Sequence, residues 1–312
     1  MFHVVGLMVA FALTLIFMKV FANKLPADQG RAFAVEGTLS RGKIRGTGIV
    51  FVLVFVACNL IFNDFSVERL IYLVIISLCM LTGFLDDAAK TPWNEYLKGA
   101  LDLLLAIGVA VTYLVYNGNS FVIAVFGNVC VTIPYWLFGI LIVALVWTAI
   151  NVTNCTDGVD GLSATLSIIT LGSFYLFIRM GEEFASDSYM IAVFIVVLTA
   201  YLWFNANPSS MLMGDAGSRA MGMMIAIAAL KSGSPLLYIP FSIVMILDGG
   251  LGLVKVALLR FLKIKILANT RCPLHDHARK VMEWSNTQVV FRFAIIQFMV
   301  SVLFVWLSTA AK

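Results

Sequence analysis

Three polar stretches place five carboxylates at the ends of membrane-length apolar runs: Asp86-Asp87, Asn154-Cys-Thr-Asp157-Gly-Val-Asp160-Gly161, and Met213-Gly214-Asp215-Ala-Gly217. A carboxylate at the centre of a bilayer helix costs roughly 2.5–3.5 kcal/mol, so such residues stay near water unless something compensates them. Gathered at one membrane face, the five would suit a divalent metal and a polyphosphate. The glycines beside them would let backbone N–H groups reach phosphate oxygens. A plainer reading stands beside this one. Asp157, Asp160 and Asp215 each precede an apolar run, where Asp is a favoured N-cap. Capping leaves unexplained why Asn154, Asp157 and Asp160 recur every third residue. Asp86 and Asp87 end a run, where the helix dipole disfavours carboxylates. They mark a water boundary, helped by Lys90, or face a cation. Neutralising either should then leave stability unchanged or slightly raised.

Two of the three histidines stand in Pro273-Leu-His275-Asp276-His277. The proline predicts an extended entry, in which residues i and i+2 share one side. His275 and His277 would then converge on one target, with Arg271, Arg279 and Lys280 nearby. A zinc site would need a third ligand at suitable spacing, which the segment lacks. Asp102 and Asp248 lie inside apolar runs, as functional candidates or as buried polar contacts.

The elements that must position these residues are helices in a membrane. The chain has 312 residues, 61% hydrophobic and 12% charged, against about 25% charged in soluble domains. It reads as one all-α polytopic membrane domain, 1–312, of about ten transmembrane helices. Apolar runs fall at 2–22, 47–63, 70–85, 99–116, 134–150, 162–179, 189–205, 220–231, 236–259 and 290–309. The first run lacks a basic leader and a small-residue cleavage site, which predicts a retained span. Most Lys and Arg lie in loops 23–46, 86–98 and 260–289, against Arg69, Arg179, Lys231 and Lys312 on the opposite set. That bias puts the basic loops and all the carboxylate motifs in the cytoplasm, with both termini outside. The short eighth run is expected to start deep in the bilayer or be re-entrant. The ninth is expected to break near Gly249-Gly250. Asn117 to Thr132, with Gly127-Asn128, predicts a short external β-hairpin. The five cysteines show no paired spacing, which argues against disulfides and a Cys-based zinc site.

The sequence resembles the polyprenyl-phosphate N-acetylhexosamine-1-phosphate transferases over nearly its whole length. The residues that carry the resemblance are Gly83-Phe-Leu-Asp-Asp87, Asn151 to Gly161, Phe204-Asn-Ala-Asn-Pro208, Met213 to Ser218, Pro273 to His277 and Val289-Val-Phe-Arg-Phe293. The Pro-Leu-His-x-His form favours the muramoyl-pentapeptide branch. The resemblance implies that Asp86 and Asp87 serve the lipid phosphate, Asp215 holds Mg²⁺, and His275 and His277 meet the diphosphate of a nucleotide sugar. It further implies that Lys90, Asn154, Asp157, Asp160, Asn205 and Gly214 form the nucleotide site and that Lys98 binds phosphate. The chain departs from the family in three places. Asp276 replaces the middle one of three histidines, Leu212 stands where an aromatic residue is common, and Arg45-Gly-Thr-Gly-Ile replaces a Gly-Thr-Pro-Thr-Met-Gly-Gly loop.

The reaction so implied is Mg²⁺-dependent transfer of phospho-MurNAc-pentapeptide from UDP-MurNAc-pentapeptide to undecaprenyl phosphate, giving lipid I and UMP. It would run in the bacterial plasma membrane, with the lipid bilayer as surroundings, a homodimer as a candidate assembly, and no nucleic-acid partner. The near rival is the same chemistry on UDP-GlcNAc. A transporter is the rival from another class, and its charges would cluster near the bilayer midplane rather than at one face.

Overall fold

The computed structural model describes residues 1–30, 40–89, 91, 93–180 and 185–310. Helices α1 (Phe2–Phe21), α2 (Gly48–Phe62), α3 (Val67–Ala88) and α4 (Glu95–Asn117) lead into strands β1 (Ser120–Ile123) and β2 (Val129–Thr132). Helices α5 (Tyr135–Thr156), α6 (Leu162–Arg179), α7 (Ala185–Asn205) and α8 (Gly214–Lys231) follow. A bent pair, α9 (Pro235–Phe241) and α10 (Ile243–Leu262), precedes α11 (Leu274–Lys280) and α12 (Asn286–Ala310). Among the described residues seven helices are long and apolar enough to cross a membrane, or eight if the bent pair is one span. The remaining two apolar runs form α2, of 15 residues, and α8, of 18.

The bundle is organised around α8, every residue of which is buried. Its sequence is mostly Gly, Ala, Ser and Met, and small side chains let neighbouring backbones approach closely without a bulky interface. Helices α2, α3, α5 and α6 pack on it. At the periphery, α12 presents Phe291, Ile295, Met299, Leu303 and Trp306 outward, the pattern expected of a face that meets lipid. The eighth element begins at Gly214, six residues before its apolar run, because partners from other helices compensate its polar first turns.

The break in the ninth run falls at Ser242, where α9 and α10 meet at 70°, and not at the glycine pair. Pro240 has no N–H to contribute to the helix ladder, and Ser242 leaves helical geometry at φ −126°, ψ 15°. Buried Gln297 of α12 satisfies the backbone groups this loosens. Its Nε2 donates to the carbonyls of Pro240 and Phe241 at 3.1 and 2.9 Å, and its Oε1 accepts from the N–H of Val244 at 2.9 Å. Gly249 and Gly250 lie in a wider, π-helical turn, Ile246–Gly250. A Cβ on Gly249 would stand 2.5 Å from the carbonyl of Val152, so that glycine serves close packing on α5. The expected hairpin is present as two antiparallel strands, with Ser120 opposite Thr132. The connection runs through a short 3-10 turn, Ala124–Phe126, and then through Gly127 and Asn128, both at positive φ.

Candidate active site

Asp86, Asp87, Lys98, Asn154, Asp157, Asp215 and His275 all border one cavity of about 900 Å³. Helix ends bring them there: the C-terminal ends of α3 and α5, the N-terminal ends of α4, α8 and α11. The placement follows from the cost of burying charge, since only the last turns of a span can carry carboxylates near water.

Asp87 plays a part that its own helix does not suggest. Its carboxylate accepts from the backbone N–H groups of Asp215 and Ala216, at 3.1 and 3.0 Å. It thereby caps α8 from outside. The position that is unfavourable at the end of α3 is favourable at the start of α8, because an anion there meets unpaired N–H groups and the positive end of a dipole. The approach requires glycine at 214, which sits at φ +67° and whose Cβ would lie 2.2 Å from Asp87 Oδ2. Asp86 points elsewhere. It accepts from the N–H of Trp93 at 2.7 Å and pairs with the Lys98 ammonium.

Asp215 faces two cations, Arg45 Nη2 and Lys98 Nζ, each at 3.3 Å. Arg45 also holds Asp87 through Nε at 2.8 Å and Asp28 through Nη1 at 3.0 Å. Burial alone would lower the pKa of Arg45, but Asp87 and Asp215 overcome that and raise it further. Burial likewise pushes Asp28 up, and the Ser40 hydroxyl, Arg45 and the Gly30 N–H outweigh it, leaving this carboxyl below the usual range. Among the described residues no three His, Cys, Asp or Glu side chains converge as a metal cage. Mg²⁺ does not require one, since it is content with one or two carboxylates plus substrate phosphates and water. Asp215, a hard oxygen donor at the cavity wall, fits that demand.

The Pro273–His277 segment is helical, and the extended geometry expected of it is wrong. Pro273 precedes the first turn of α11, Asp276 lies near the helix start, and Arg279 and Lys280 lie in its last turn. That charge order complements the helix dipole. On a helix, i and i+2 diverge. His275 is buried, with its N–H at 2.7 Å and its Nδ1 at 2.8 Å from the two oxygens of Asp248. A carboxylate only accepts, so Nδ1 carries a proton and Nε2 is turned toward the cavity side. Gly158 borders that edge, and a Cβ there would be 2.3 Å from His275 Nε2. His277 does not border the cavity, and its Nδ1 accepts from the Arg271 N–H at 3.3 Å. Asp276 and Arg279, paired at 2.6 Å, border it instead.

Three further expected residues lie beside the cavity rather than on its wall. Asp160 ties loops together, accepting from Lys43 Nζ at 3.3 Å and from the Ser209 N–H at 2.9 Å. Asn205 accepts from the Gly161 N–H and donates to the Met211 carbonyl, both at 2.9 Å. Gly214 is the hinge under Asp87. Lys90 lies outside the described residues. Asp248 is the partner of His275, and Asp102 pairs with Arg219 in the core. Sequence reasoning passed over Asp28 and Arg45. The signal was Arg45 standing where the resembled family has an uncharged loop.

Helices long and apolar enough to cross a membrane, with a carboxylate-lined cavity at their ends, describe an integral-membrane protein with a polar site. The chain belongs to glycosyl transferase family 4, whose model matches residues 69–233. It is 40% identical over 292 residues to a phospho-N-acetylmuramoyl-pentapeptide-transferase of Treponema pallidum (strain Nichols), covering 88% of this chain and 80% of that protein. Proteins of the same name from Bacillus cereus (strain AH187) and Fervidobacterium nodosum are 29% and 28% identical. Those matches cover 97% and 86% of this chain, and 96% and 83% of the relatives.

Proposed function

We propose that the chain, acting as one domain, transfers phospho-MurNAc-pentapeptide from UDP-MurNAc-pentapeptide to undecaprenyl phosphate, forming lipid I and releasing UMP for peptidoglycan synthesis. The observation that carries the reading is the 40% identity to a protein named for that transfer. The cavity that collects Asp86, Asp215, Lys98 and His275 supports it. The seat is the bacterial plasma membrane, with the cavity facing the cytoplasm and both termini outside, as the Lys and Arg bias of the loops argues. The gathering of the charged motifs at one end of the bundle speaks against a transporter site at the midplane.

A phosphate of the lipid must attack another anion, so most of the catalytic task is neutralisation and alignment. Mg²⁺, held by Asp215, supplies charge neutralisation at the diphosphate when bound. Lys98, oriented by Asp86, adds a cation on the same wall for the phosphates. His275, held by Asp248 through Nδ1, turns Nε2 to the same side, where the doubly protonated ring donates to a diphosphate oxygen. Asn154 and Asp157 fall on the nucleotide side. In this reading Asp87 acts through α8, by fixing the backbone that carries Asp215, while Asp86 meets the lipid phosphate through Lys98. UMP release in detergent, measured across a panel of UDP-sugars with and without Mg²⁺, tests it. Turnover of UDP-MurNAc-pentapeptide and not of UDP-GlcNAc, abolished by chelation, is expected. Preference for UDP-GlcNAc would move the chain to the neighbouring reaction.

A further inference from the structure

We infer that Arg45 is a resident counter-cation of the carboxylate cluster, sharing Asp215 with the metal and so weakening metal binding until the substrate's phosphates arrive. The inference rests on Asp215 as the metal ligand. The three nitrogens of the one guanidinium face three carboxylates from separate parts of the chain: Asp28 in the first loop, Asp87 on α3 and Asp215 on α8. The arginine side chain is 16% exposed, and its charge is permanent at any working pH.

The three contacts differ in grip. Asp87 has no exposed side-chain surface, and its carboxylate also accepts two α8 N–H groups. Asp28 is held at 3.0 Å by Arg45 and at 2.5 Å by the Ser40 hydroxyl. Asp215 is 10% exposed, and both of its oxygens face their cations at 3.3 Å. Charge-assisted N–H···O contacts are usually about 2.7–2.9 Å, so the Asp215 contact is the loosest of the three. A Mg²⁺ ion would sit about 2.0–2.1 Å from an Asp215 oxygen. On the Oδ1 side it would share that oxygen with the guanidinium, and two cations on one oxygen repel strongly in a half-buried site. Arg45 therefore does in the empty enzyme what a metal would otherwise do: it holds mutually repelling carboxylates together. Diphosphate oxygens reverse the balance, because they bring new anionic ligands for the ion and a new bidentate partner for the guanidinium.

The test uses Mn²⁺ alone as probe, titrated into the detergent-solubilised full chain without nucleotide, with free Mn²⁺ read by EPR. Arg45→Gln should bind Mn²⁺ about tenfold or more tighter than the parent, because a positive charge beside the ligand is removed. Arg45→Lys keeps a charge but not the three-way fork, and should fall between. It decides the matter if Arg45→Gln does not fold. Parent-like or weaker Mn²⁺ binding in the folded variants would overturn the inference. In that case loss of Mn²⁺ from Asp215→Asn in the presence of UDP-sugar would leave the metal reading itself standing. If the double variant R45Q/D215N kept tightened binding, Asp215 would not be the ligand and both readings would fall.

Discussion

At its N-terminal end α8 meets Asp28, Asp86, Asp87 and its own Asp215 together with Arg45 and Lys98. At its C-terminal end Lys231 meets Glu68 at 2.9 Å and Asp187 at 3.3 Å, with Arg69 beside Asp187 and Asn117 accepting at 2.9 Å. Both clusters are largely buried, and both join several helices. They differ in balance and in access. Among the described residues of these two clusters, carboxylates outnumber cations four to two at the first end and match them two to two at the second. The first borders the cavity, and none of the charged residues of the second does. Buried charge by itself is therefore a poor sign of function. A surplus of one sign beside a cavity is a better one, because it leaves work for a ligand to do.

The sharpest way to break this comparison is Asp215→Asn. It removes charge at the unbalanced end and should lower UMP release by about 10³-fold, with the melting temperature little changed. Near-normal turnover would make the two ends equivalent. Asp87→Asn should cost about 100-fold in turnover, the scale of a misplaced catalytic group, and should also lower thermal stability, since it weakens the cap on α8 and the hold on Arg45. The helix end alone predicts no loss of stability, so a thermal melt separates the two accounts. Within α11, His275→Ala should cost most in UDP-sugar turnover, Asp276→Ala less, and His277→Ala least. Equal losses for the two histidines in steady-state kinetics would restore an extended segment.

Lys231→Met tests the balanced end. Leaving Glu68 without its cation and Asp187 with Arg69 alone should destabilise the protein, by up to about 3–5 kcal/mol, while turnover per folded molecule changes little. A large fall in specific activity without unfolding would mean the far cluster is coupled to the site. The smallest effect concerns acid. The pKa of Asp28 is lowered in the fold, so its stabilising contribution is present above its ordinary value of 3.8 and is lost as pH falls through the lowered one. Asp28→Asn should flatten that part of an acid melt.

The apolar runs determine, without any structure, that the chain is a helical membrane protein, and their ends determine where the carboxylates can sit. Both follow from local physics, the cost of charge in lipid and the period of a helix. The turn at Gly127-Asn128 and the motif residues Asp86, Asp157, Asp215 and His275 were legible for the same reason. Only the tertiary structure decided the pairings. Arg45 reaches Asp215 across 170 positions and Asp87 reaches the N–H of Ala216 across 129. Local pattern cannot choose among several carboxylates of equal chemistry at such separations. The helical form of Pro273–His277 also depended on contact, because seven residues are too few to hold a helix without docking, and Asp248 supplies that docking through His275. The break at Ser242 was equally hidden, since the amide that satisfies it comes from Gln297, on another helix.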